Sequence, residues 1–127
     1  MDSWAVASGN YLADMVHILL HFVVPAAIAA AIARDRWLRV WLILIATMVV
    51  DVDHLLANPV YDPERCSIGF HPLHSSPALA GYLLLCVSPA VARRIGNARV
   101  STVVSTLGLI GLGLVVHMVL DGADCLA

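Results

Sequence analysis

The chain contains no lysine; its seven basic residues are all arginine. Charged residues make up 13% of the 127 residues, about half of what a soluble domain carries. With a net charge of -2 and no basic stripe, there is no electrostatic footprint for nucleic acid. Three cysteines are too few for a disulfide scaffold, and aromatic residues amount to 6%. The first residues, MDSWAVASGNYLADM, have no basic segment before an apolar one, so they are not read as a removable signal peptide. One domain over 1–127 is all that this length accommodates.

Apolar residues are abundant. They make up 61% of the chain, and the mean hydropathy is +0.88. Four runs stand out, at about 15–33, 38–57, 77–92 and 100–121. Each approaches the roughly 20 residues that a helix needs to cross a bilayer core, although the third is short. The expected fold is therefore all-α, an integral membrane four-helix bundle with a long outward loop over 58–76 between helices 2 and 3. Pro25 should kink the first helix. Ser76 followed by Pro77 reads as the cap and first residue of the third. Gly108, Gly111 and Gly113, with Ser101 and Ser105, are the small residues that let membrane helices approach closely. Trp4, Tyr11 and Trp37 suit the headgroup zone.

Arg34, Arg36, Arg39, Arg93, Arg94 and Arg99 occupy the first and third connections, and Arg65 alone lies in the second. The positive-inside bias then puts both short turns in the cytoplasm. In a bacterial inner membrane, both termini and the 58–76 loop would face the periplasm. This topology brings His17, His21, Asp51, Asp53, His54, His71, His74, His117, Asp121 and Asp124 to one level, the outer ends of the helices and the outer loop. His17 and His21, four apart, share a helix face, as do His117 and Asp121. Asp51 and His54, three apart, also align, while Asp53 points elsewhere or marks where the helix unwinds.

Ionised groups near a bilayer are costly, and a divalent cation offsets that cost by neutralising the carboxylates. Imidazole and carboxylate without thiolate suit zinc, with manganese or iron as alternatives, and the number of candidates allows one to three ions. Asp51 or Asp53 would orient a water or take its proton, and Arg65 would stabilise charge on a phosphoryl oxygen. Cys66 and Cys125 both fall on the outer side, where a disulfide between them is the leading expectation and thiolate ligation the alternative. Tyr61, Arg65 and Ser67 are candidates for an anionic headgroup.

Three segments, MVVDVDH (48–54), HPLHS (71–75) and GLVVHMVLD (113–121), resemble in that order the motifs of the YdjM-like membrane-bound metal-dependent hydrolases. That family is related to the zinc-dependent phospholipase C group. The resemblance covers roughly 15–125 and implies metal-ligand roles for Asp51, Asp53, His54, His74, His117 and Asp121. Leu73 stands where that family often has threonine. The expected function is a membrane-embedded hydrolase that acts on a lipid phosphoester or related ester at the periplasmic face. The alternatives are a non-catalytic metal-binding protein for storage or sensing, and an assembly factor whose polar cluster ties the helices together. A bundle of this size also has room to form a homo-dimer.

Overall fold

The computed structural model describes residues 3–60, 62, 64–94, 96 and 98–126, without the side chains of 3–10 and 98–102. Tyr61 and the side chains of Trp4, Arg99 and Ser101 lie outside the described set. The described residues are all-helical and form four α-helices: α1 (Ser3–Ile32), α2 (Trp37–Ala46), α3 (Ser76–Ala92) and α4 (Ala98–Asp124). Two helical stretches, Tyr11–Ile32 and Val103–Asp124, are long and apolar enough to cross a membrane, each with mean hydropathy 2.2. α3 is apolar but shorter.

The expected single helix over 38–57 is two elements instead. α2 ends at Ala46 and the chain continues as a 3-10 helix over Thr47–Leu56. Local chemistry explains the change. Thr47 turns its hydroxyl back to the Leu44 carbonyl at 2.6 Å, a side-chain bond that competes with the helix ladder. Val49, Val50 and Val52 then follow, with Asp51 and Asp53 among them, and all are poor helix formers. A 3-10 helix has three residues per turn, so side chains three apart eclipse. Thr47, Val50 and Asp53 are accordingly the buried positions.

α4 packs on both halves of the molecule, and its glycines explain how. A Cβ on Gly111 would fall on the backbone of Leu85 and Cys86 in α3, and one on Gly108 would fall on the Pro89 ring. A Cβ on Gly113 would meet the Thr47 side chain at 2.8 Å. α1 joins α2 through a small apolar core of Ala29, Ala33, Val40 and Leu44. Pro25 lies inside α1, and near it Trp41 Nε1 donates to the Phe22 carbonyl at 3.0 Å.

The loop before α3 is folded. Gly69, at φ +83°, takes a conformation that L side chains rarely adopt, and its N–H donates to the His74 carbonyl at 2.9 Å. The cap of α3 is Ser75, not Ser76, because the Ser75 carbonyl accepts from Leu79 N–H. The Ser75 hydroxyl donates to the Pro72 carbonyl at 2.7 Å. Cys66 and Cys125 form a disulfide, Cα to Cα 5.2 Å, that ties this loop to the end of α4.

The burial pattern is inverted relative to a water-soluble domain. His21, Asp53, His71, His74, His117 and Asp121 are buried, while Ile18, Leu19, Val23, Leu84 and Val119 are more than half exposed. Exposed large apolar groups over buried polar ones are the pattern that an apolar surrounding favours.

Candidate metal centre

The buried polar groups form one connected cluster, supplied by α1, the 3-10 helix, the loop and α4. Its first group is Asp51, His74, His117 and Asp121. His74 Nε2 lies 3.3 Å from Asp51 Oδ1 and 3.1 Å from Asp121 Oδ2. His117 Nε2 lies 2.9 Å from Asp51 Oδ1 and 3.3 Å from Asp121 Oδ2. Around a tetrahedral ion with bonds near 2.0–2.2 Å, neighbouring ligand atoms are about 3.3 Å apart. The four separations therefore match four edges of one coordination tetrahedron.

The second group is His17, His21 and Asp121. Asp121 turns its other oxygen, Oδ1, toward His17 Nε2 at 3.3 Å and His21 Nε2 at 3.2 Å. One carboxylate thus serves two groups, an oxygen to each. His17 Nδ1 also lies 3.6 Å from Asp124. The spacing of Asp121 four residues after His117 signalled one pair; its contact with the two histidines of α1 required the fold.

Hydrogen bonding on the far side of His21 and His74 fixes which nitrogen of each is available. His21 Nδ1 is 3.0 Å from the His17 carbonyl, which can only accept, so Nδ1 carries the proton and Nε2 a lone pair. His74 Nδ1 is 3.2 Å from Asp53 Oδ2, with the same consequence. Both Nε2 atoms are buried and lack a hydrogen-bond partner, yet each faces carboxylate oxygen. Electron pairs aimed at electron pairs require a positive centre between them. The residues therefore fit a divalent cation. In its absence a proton takes the place: burial lowers the pKa of His74, but the carboxylates of Asp121, Asp51 and Asp53 outweigh it and push the ring up to about 10.

Asp53 sits behind this shell. It is 3% exposed, its Oδ2 also accepts from Leu73 N–H at 2.8 Å, and its Oδ1 lies 3.1 Å from His54 Nδ1. A carboxylate on the outer nitrogen of a ligand histidine is the usual way to set its tautomer and orientation. Asp53, His54 and His71 make a third group of potential ligands. There His54 Nε2 is 2.9 Å from the Ser67 hydroxyl, and its ring stacks on His71 with centroids 3.9 Å apart. Burial and the adjacent His54 hold His71 below its ordinary pKa, against the opposite pull of Asp53.

The structure thus gathers His17, His21, Asp51, Asp53, His54, His71, His74, His117 and Asp121. It places Arg65 differently. Its guanidinium donates to the Pro59 carbonyl at 2.9 Å and to Asp62 at 3.4 Å, and covers the Phe70 ring at 4.7 Å. The arginine is engaged in holding the loop. Two supports carried no sequence signal: the partnership of Ser67 with His54, and Tyr82, whose hydroxyl donates to the Leu73 carbonyl at 2.9 Å.

Fold and cluster together define an all-helical protein with membrane-grade helices and a buried imidazole–carboxylate centre suited to metal. The chain belongs to a family of unknown function, DUF6122, which it matches over residues 11–127. No curated protein and no solved structure matches it.

Proposed function

We propose that the chain spans a bacterial inner membrane four times and holds a two-ion centre at the periplasmic end of the bundle. On this reading it hydrolyses a lipid phosphoester or related lipid ester. The observation that carries the reading is Asp121, with Oδ2 among Asp51, His74 and His117 and Oδ1 between His17 and His21. Two ions bridged in this way sit about 3.5–4 Å apart, the spacing used in hydrolytic two-metal sites.

The two groups differ in a way that suits a division of labour. The first supplies four protein donors, a closed set. The second supplies three, as catalytic zinc sites do when the fourth position is left for water or substrate. Its most exposed donor, His17, is 25% exposed. An ion there would supply Lewis acidity to a water and to a phosphoryl or acyl oxygen. Asp51, its side chain 40% exposed, is placed to accept a proton. Asp53 positions His74, and Arg65 braces the loop. Val49, Val52, Leu55, Leu56 and Phe70 are exposed around this end and give a lipid an apolar approach. Zinc suits the donor set best, with manganese or iron next.

Metal analysis of detergent-purified protein tests this directly. About two ions per chain are expected, none in Asp121→Ala and about one in His21→Ala, with metal-dependent release of a headgroup or acid from lipid esters and phosphoesters lost in both. The four-donor group favours a second reading, a protein that stores or senses metal. Two tightly held ions with no turnover on any such lipid would establish that reading instead. Less than one ion per chain would overturn both.

A further inference from the structure

The opposite end of the molecule carries a second, unrelated feature. Helix rise puts Ser105 about 18 Å from His117, and Ile32 about 22 Å from His17. Between the α1–α2 pair and the α3–α4 pair at that end lies a cleft of about 470 Å³. This is within the range of about 300–1,000 Å³ that small-molecule sites occupy.

Two chemistries meet in it. Val40, Leu109 and Leu112 give it an apolar lining, and Arg36, Arg39 and Arg93 also line it. Among the described residues no carboxylate does. Arg93 Nε donates to the carbonyl of Pro89, itself a lining residue, at 3.2 Å, which holds that guanidinium at the rim. Helix α2 starts in the same place. Its cap residue, Arg36, offers no side-chain hydrogen bond, so the first N–H groups of the helix are left for another acceptor. A free inorganic anion would use the arginines and leave the apolar lining unmatched. A neutral lipid would use the lining and leave three cations unmatched.

We infer that this cleft binds an anionic phospholipid, its phosphate at Arg36, Arg39 and Arg93 and one acyl chain along Ile32, Leu109 and Leu112. Basic pockets between membrane helices take such headgroups by the same combination of charge and burial. The inference does not depend on the metal centre.

The test uses the full chain in a neutral detergent. Phosphatidylglycerol, phosphatidylcholine of the same chain length and inorganic phosphate are titrated separately, with binding read by native mass spectrometry and by melting temperature. Phosphatidylglycerol should bind one per chain and raise the melting temperature; the other two should do neither. Arg36→Gln/Arg39→Gln should weaken that binding by about 30-fold. Ser105→Trp keeps all three arginines and fills the mouth of the cleft, so it should abolish binding even if the double variant fails to fold. Arg65→Gln, at the other end, should bind as the parent does. Equal binding of phosphatidylcholine, equal stabilisation by inorganic phosphate, or full binding by Ser105→Trp would each overturn the assignment.

Discussion

Asp53 and His74 are joined through the back of the imidazole: Asp53 Oδ2 lies 3.2 Å from His74 Nδ1, while His74 Nε2 points the other way, toward Asp51 and Asp121. The pair comes from two elements that α2 and the loop hold together, and Leu73 N–H adds a second bond to the same oxygen. Replacing Asp53 should therefore leave every first-group donor in place and yet loosen the ring that carries one of them. Asp53→Asn is expected to lower metal affinity by about 10- to 100-fold without changing the number of ions bound at saturation. Competition against a chromogenic chelator reads this directly, and an unchanged affinity would remove Asp53 from the positioning role.

The proton that stands in for the cation gives a pH signature. In the metal-free protein the folded-state pKa of His74 is raised from its ordinary 6.5 to about 10. The group then binds protons more tightly when folded. Its stabilising contribution is complete below pH 6.5, declines above it and is gone once pH passes about 10. Thermal melts in chelator at pH 6 and pH 10.5 should show the lower melting temperature at the higher pH. Metal should flatten the difference, because the ion replaces the proton. His74→Asn should shrink it even without metal.

The disulfide between Cys66 and Cys125 closes a loop of 59 residues. A cross-link of that span removes about 4 kcal/mol of chain entropy from the unfolded state, on the loop-closure account. Cys66→Ser/Cys125→Ser is expected to lower stability by up to that amount. It should also weaken metal binding, because Ser67, the partner of His54, is next to Cys66. Denaturant titration and chelator competition on the same samples separate the two effects.

Helix α4 lies against α3 with no room for a side chain at Gly111. Gly111→Ala forces the new methyl onto the backbone of Leu85 and Cys86, which cannot rotate away. Overpacking of this kind costs about 1–3 kcal/mol. Gly122→Ala, whose nearest neighbour would be Ile68 at 4.0 Å, is the contrasting substitution and should be close to neutral. Parallel melts of the two variants check the difference.

Much of this architecture could be read from residue order. The apolar runs gave α1, α3 and α4, and the ends of the runs, with the loop before α3, gave the six histidines that the structure brings together. His54 and His74 have ring centroids 4.9 Å apart, His74 and His117 5.7 Å, and His21 and His117, 96 positions apart, 4.6 Å, so distant residues do converge. What could not be read was direction within the level. The stretch 47–56 was expected to continue as part of one helix; its 3-10 geometry turns Asp53 inward, behind His74 rather than toward water. Nor does spacing reveal which oxygen of Asp121 meets which histidine. Of the three partners of Arg65, only Asp62, three residues away, is visible in a list of charges; the carbonyl at Pro59 and the face of Phe70 leave no mark there.

The inverted burial has a consequence for how the protein is made. In the membrane setting proposed above, lipid would solvate the outward apolar residues as well in separated helices as in docked ones, so little solvent-driven force would pull the helices together. The four buried histidines and the buried carboxylates of Asp53 and Asp121 are instead held together by the positive charge among them, a proton on His74 in the metal-free protein and the ion once it is loaded. Ion loading should then be the closing event of biogenesis. Cells starved of the metal should accumulate inserted, helical, loosely joined chains that membrane proteases remove.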